Sequence, residues 1–88
     1  MEIVKSASAG TMESSDVYVE IEPGTGLEME LESVVLAQFG SSIRRTVMAV
    51  LEENHVENAF VRVTDRGALE CVIRARVETA ILRGKGDV

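Results

Sequence analysis

Apolar and polar residues alternate in two stretches of the first third of the chain, residues 17–22 and 27–32, which are separated by the turn-forming sequence of residues 23–26. A period of two places successive side chains on opposite faces of a β-strand. The pattern therefore predicts a strand, a turn and a second strand, with a glutamate-rich face in water. The apolar positions are Val17, Val19, Ile21, Leu27, Met29 and Leu31.

After Ser33 the apolar period becomes that of an amphipathic helix. We expect a helix from Gln38 to Asn54 that covers the sheet, with His55 beside its end, and a third strand over residues 59–64. The predicted buried face of this helix consists of Phe39, Ile43, Val47, Val50 and Leu51.

A tight turn is predicted at residues 64–67, because Asp65 can accept a bond from the backbone two residues on and Gly67 tolerates a left-handed conformation. The alternation of Leu69, Cys71 and Ile73 then favours a hairpin and a fourth strand. A helix starting at residue 68 is disfavoured, since it would place Arg76 within its apolar stripe. The last helix is expected to begin near Arg76 and to end at Gly84, with residues 84–88 as a frayed tail.

These elements predict an α+β fold in a single domain, residues 1–88. The expected architecture is a two-layer sandwich with the order β-β-α-β-β-α, in which two helices cover a small, largely antiparallel sheet.

Charge and composition limit the function. The net charge is −6, but residues 1–33 sum to −7 and residues 34–88 to +1. A negative field of this kind disfavours binding to nucleic acid or to an anionic membrane. The acidic strands either dock a basic partner or form a solvated face. The single cysteine cannot form an internal disulfide and no apolar run has the length of a membrane span, so a cytoplasmic protein is expected.

The chain resembles the acyl carrier protein, or gamma chain, of citrate lyase, an enzyme complex of citrate fermentation. The resemblance covers nearly all 88 residues. It rests on the segments Ala9-Gly10-Thr11-Met12-Glu13-Ser14, Gln38-Phe39-Gly40, Ile43-Arg44, Asp65-Arg66-Gly67-Ala68-Leu69-Glu70-Cys71 and Ile73-Arg74-Ala75-Arg76-Val77-Glu78.

The resemblance implies that Ser14 carries a prosthetic group through a phosphodiester, and that residues 1–15 form a mobile attachment segment. The group is 2'-(5''-phosphoribosyl)-3'-dephospho-CoA, attached by a dedicated prosthetic-group transferase. Its thiol holds acetyl and citryl thioesters for an alpha (acyl transferase) and a beta (citryl lyase) subunit, so the carrier itself is not catalytic. The adjacent Ser15 leaves the attachment position ambiguous by one residue.

Two other functions stay open. The resemblance, which extends more distantly to malonate decarboxylase, allows a carrier subunit of that enzyme, and the acidic strands allow a protein-interaction module without a cofactor. A stand-alone enzyme is disfavoured because no nucleophile or acid–base pair is visible.

Other reactive residue types have ordinary interpretations. Cys71 alternates with apolar residues and is predicted to be buried, and His55 is predicted to be a helix-end residue. The glutamates of residues 28–32 stand in line along one strand and do not face one another as an acid–base pair must.

Three arginines, Arg62, Arg74 and Arg76, have two possible roles. We expect Arg62 and Arg74 to lie on paired strands, with Arg76 close by. There they either bind phosphates of the tethered group or a partner's carboxylates, or neutralise the acidic strands.

Overall fold

The structure, a computed structural model, describes residues 1–86 and contains four strands and two helices. The elements are β1 (Ala7–Gly10), β2 (Val17–Glu22), β3 (Leu27–Ser33), α1 (Leu36–Glu53), β4 (Ala59–Asp65) and α2 (Glu70–Gly84). The predicted α+β class and two-layer architecture are confirmed, but the order along the chain is β-β-β-α-β-α.

The sheet is mixed, with the strand order β1-β2-β4-β3. β1 pairs antiparallel with β2, β2 pairs antiparallel with β4, and β3 pairs parallel with β4. Parallel neighbours need a long crossover between them. Helix α1 provides that crossover, which explains why β3 is a sheet neighbour of β4 and not of β2.

The core lies between the sheet and the two helices and is almost wholly aliphatic. Its β2 members, Val17, Val19 and Ile21, are the alternating set predicted from the sequence, and the glutamates of β3 are exposed as expected. The fully buried side chains also include Val47, Val50, Leu51, Val61, Val63, Val77, Ala80 and Ile81. None of the helices within residues 1–86 is both long enough and apolar enough to cross a membrane.

Helix α1 and strand β4 confirm the predicted elements to within two residues at each end. The predicted buried face of α1 is correct at Ile43, Val47, Val50 and Leu51. It is wrong at Phe39, whose side chain is exposed on the first turns of the helix.

The predicted fourth strand is wrong, because helix α2 begins at Glu70 and includes the residues assigned to that strand. Its buried face consists of Ile73, Val77, Ala80, Ile81 and Gly84, a helical period. Cys71 lies in the first turn on the outer side and is exposed, so its predicted burial is also wrong. The helix ends at Gly84 as expected, while residues 87–88 of the predicted frayed tail lie outside the described residues.

The mobility expected of residues 1–15 stays a prediction, and part of this segment is paired with the sheet. Ala7–Gly10 is an edge strand in register with β2, and the Arg83 guanidinium donates to the Ser8 carbonyl at 2.8 Å. Ile3 and Ala9 are buried in the core. The short β1 escaped prediction because its small residues carry little hydrophobic pattern.

Candidate functional site

Three connections meet at one end of the sheet. They are the β1–β2 loop (residues 11–16), the β3–α1 junction (residues 34–35) and the β4–α2 loop (residues 66–69). Backbone bonds join the first and third of these connections: the Ser15 N–H donates to the Arg66 carbonyl at 2.8 Å, and the Arg66 N–H donates to the Asp16 carbonyl at 2.9 Å. The loop that carries the predicted attachment serine is therefore tied to the centre of the fold.

Ser14 and Ser15 are both exposed and occupy the two central positions of a β-turn. The turn is closed by the Asp16 N–H, which donates to the Glu13 carbonyl at 3.1 Å. Ser15 has φ 65°, a left-handed conformation that is uncommon for a residue with a side chain. Ser14 is thus presented to solvent on a defined turn.

Asp16 lies directly after the serines and accepts bonds from several directions. The Arg76 Nε and Nη2 atoms donate to its two carboxylate oxygens at 3.1 and 2.9 Å, which makes a bidentate ion pair. The Thr11 hydroxyl donates to the same carboxylate at 2.6 Å, and the Val17 N–H at 2.7 Å. We call Thr11, Asp16 and Arg76 the loop clamp, because they join both ends of the β1–β2 loop to α2.

The clamp favours the ionised carboxylate. Hydrogen bonding from Thr11, then from Arg76 and from the Val17 backbone, lowers the pKa of Asp16 from 3.8 to about 2. The Asp16 side chain is 15% exposed and that of Arg76 is 39% exposed, so the pair is partly shielded from water. Asp16 is therefore ionised throughout the physiological pH range.

Gly10 allows the chain to enter this loop. It has φ 96°, and a Cβ atom there would lie 1.8 Å from the Val17 carbonyl oxygen and 3.3 Å from the Arg76 Cδ atom. The two strands and the arginine stem thus approach one another more closely than any side chain at residue 10 allows.

The three arginines do not form a common site, and the predicted pairing of Arg62 and Arg74 on adjacent strands is wrong. Arg62 on β4 lies between Glu20 and Glu30 on the open face of the sheet, at 3.6 and 3.1 Å. Arg74 on α2 binds Glu53 of α1. Each arginine thus neutralises a carboxylate, the second of the two roles expected from the sequence.

Asp65 is a structural carboxylate that supports the same end of the fold. It is 1% exposed and accepts bonds from the Ser33 hydroxyl at 2.7 Å, the Gly67 N–H at 3.1 Å and the Ala68 N–H at 2.9 Å. The predicted bond to the backbone two residues on is confirmed, although the turn leads into a helix.

An open, mostly apolar groove of about 310 Å³ lies on the other side of the β4–α2 loop. It separates the first turns of α1 and α2, and Phe39, Ala68 and Leu69 are among the residues that line it. Within residues 1–86 no group of three or more acidic, histidine or cysteine side chains is arranged to bind a metal ion. His55 lies just after α1 with φ 58°, which confirms its assignment as a helix-end residue.

Comparison with protein families gives a match over residues 4–84 to the family described as "ACP: Malonate decarboxylase delta subunit (MdcD)". The chain is 53% identical over 85 residues to a citrate lyase acyl carrier protein of Escherichia fergusonii, covering 94% of this chain and 88% of the relative. It is 48% identical to proteins of the same name from Haemophilus ducreyi, covering 99% and 92%, and Treponema denticola, covering 94% and 95%.

The fold also matches a solved structure. One chain of a Pseudomonas malonate decarboxylase hetero-tetramer, crystallised with malonate, superposes with a TM-score of 0.81 at 21% identity, covering 94% of this chain and 87% of that one. At this identity the match establishes the shared fold.

Proposed function

The chain belongs to the family of citrate lyase acyl carrier proteins and malonate decarboxylase delta subunits, and from that premise we propose that it is the acyl carrier subunit of citrate lyase. Relatives named for citrate lyase at 48–53% identity support the choice of citrate over malonate. The malonate decarboxylase subunit remains the second candidate, since the family model bears its name.

The attachment point in this proposal is Ser14, and the group is 2'-(5''-phosphoribosyl)-3'-dephospho-CoA. The local structure fits covalent attachment, because the serine is exposed on a turn whose neighbours are small or polar. The observation that carries the proposal is this exposed hydroxyl on a loop that the fold holds in place, in a chain whose relatives are named acyl carriers.

Attachment is a phosphoryl-type transfer. The Ser14 oxygen forms a bond to phosphorus, the bond from phosphorus to the leaving group of the activated cofactor breaks, and the serine proton passes to a base of the transferase. The chain supplies the hydroxyl and its position. When bound, the group would supply a thiol that can carry acyl groups.

The carrier is non-catalytic in this proposal. Its partners are the alpha (acyl transferase) and beta (citryl lyase) subunits of citrate lyase and the prosthetic-group transferase, and its compartment is the cytoplasm. Tethering raises the effective concentration of the acyl group at the partners' active sites.

The two serines provide the test. The chain is co-expressed with the transferase and the activated cofactor, and the N-terminal peptide is then fragmented in a mass spectrometer. We expect the added mass on Ser14, its loss in Ser14→Ala with the fold retained, and its persistence in Ser15→Ala, the matched control one residue away. An adduct on Ser15, or an undiminished adduct in Ser14→Ala, would contradict the assignment.

A further inference from the structure

Three features constrain the chain around Ser14. Ser15 holds a left-handed conformation, Gly10 permits a backbone approach that excludes a side chain, and Arg76 of α2 lies at the border of the apolar stripe of that helix. A left-handed residue with a side chain persists where the surrounding structure over-determines it, and such residues concentrate at functional sites.

All three features involve the contact between Asp16 and Arg76. Gly10 lets the end of β1 pass close to the Arg76 stem, Arg76 reaches Asp16 from the helix, and the Asp16 backbone closes the turn in which Ser15 takes its unusual φ. Thr11 connects the other side of the loop, because its hydroxyl donates to Asp16 and accepts the Glu13 N–H at 3.2 Å. One ion pair thus links the helix to both sides of the serine turn.

We propose that the Asp16–Arg76 ion pair is a positioning device that holds the Ser14 turn in one conformation, so that the modifying transferase recognises a folded turn and not a linear sequence. This inference rests on the proposed function and extends it to two residues that have no chemical part in the transfer. Their carboxylate and guanidinium are engaged with each other, which leaves the chemistry to Ser14 and to the transferase.

The ion pair would favour transferase binding by holding the Ser14 turn in its binding conformation in advance. A transferase that binds only one conformation of the turn has an apparent affinity reduced in proportion to the population of that conformation. The bidentate pair raises this population before the transferase arrives. Loss of the pair therefore raises the KM for the carrier, and kcat stays near its original value once the turn is bound.

Arg76→Met is the most informative variant. Methionine fills a similar volume and suits the border of the apolar stripe, so α2 keeps its packing while the ion pair is lost. Arg74→Met is the matched control: it removes an arginine two residues away on the same helix, whose partner is Glu53 of α1 and not the loop. Asp16→Asn breaks the pair from the other side, and Arg76→Lys keeps the charge without the bidentate geometry.

The measurement is the steady-state rate at which the transferase loads each folded carrier, together with a peptide of residues 9–17. We expect KM to rise about tenfold or more in Arg76→Met and Asp16→Asn, with partial recovery in Arg76→Lys and no change in Arg74→Met. The peptide is expected to be a poor substrate. Faster exchange of the Ser15 amide hydrogen in Arg76→Met, with the core amides unchanged, would show that the turn itself has loosened.

Several results would overturn the inference. Equal KM values for wild type and Arg76→Met, or a peptide loaded as well as the domain, would show that the transferase reads linear sequence. A fall in kcat at constant KM would make Arg76 a direct contact of the transferred phosphate. If Arg76→Met does not fold, Asp16→Asn decides by the same criteria. Failure of the wild-type domain to accept any group would instead refute the proposed function.

Discussion

At residue 76 the sequence serves two competing needs. Helix α2 packs on the sheet through Ile73, Val77 and Ala80, and an apolar residue at the border of this stripe would add to the packing. An arginine there gives up part of that packing, and its guanidinium lies against Asp16, next to the serines. Arg76 therefore contributes less apolar packing to α2, and in its place forms an ion pair with the loop that contains Ser14.

Cys71 is the single cysteine of the chain, and the sequence pattern predicted that its side chain is buried. It is exposed in the first turn of α2. We expect Cys71→Ser to change the free energy of unfolding by no more than about 0.5 kcal/mol and to leave acyl carriage intact. Urea unfolding measures the first quantity, and thioester formation on the loaded carrier measures the second. A loss of about 1 kcal/mol or more, the cost expected of a buried side chain, would contradict this position for the thiol.

At the scale of elements, the β4–α2 connection determines where the chain leaves the sheet and where α2 begins. Asp65 is buried at the end of β4, and its carboxylate accepts bonds from β3 and from the first residues of the loop that leads into α2. A buried carboxylate with three donors fixes the exit of the chain from the sheet. Helix α2 follows directly, and its first turn consists of residues that were predicted to form the fourth strand.

Asp65→Ala is therefore expected to be destabilising, by about 1–3 kcal/mol, because the partly buried hydrogen bonds from Ser33, Gly67 and Ala68 lose their shared acceptor. Glu28→Ala, on the exposed face of β3, is the control and should change stability by no more than about 0.5 kcal/mol. Urea unfolding followed by circular dichroism measures both. Equal stabilities of the two variants would contradict the structural role of Asp65.

Most elements can be predicted from the sequence because their apolar residues repeat at the regular spacing of a strand or a helix. The alternation in β2 and β3 and the helical period of α1 require only that one face be buried. The start of α2 could not be predicted in this way, since Leu69, Cys71 and Ile73 alternate by chance while only Ile73 is buried. Arg76 reinforced the error because its partner, Asp16, is 60 residues away in the chain. Ser14 was indicated by family resemblance, and no local pattern pointed to the clamp.

At the scale of the whole molecule, the fold brings the Ser14 turn, the apolar groove and the starts of both helices to one end, while the acidic sheet face lies to the side. Backbone hydrogen bonds join the Ser14 turn to the β4–α2 loop, so the fold gives this exposed serine a defined position.

The central claim is that this chain carries acyl groups on a prosthetic group at Ser14, and the mass of the protein from its native host tests it most directly. The account predicts one fixed increment, equal to a single phosphoribosyl-dephospho-CoA unit, which fragmentation assigns to Ser14 and which gains one acetyl unit when the complex is acetylated. A native protein with the mass of its unmodified chain, in cells that are cleaving citrate, would contradict it.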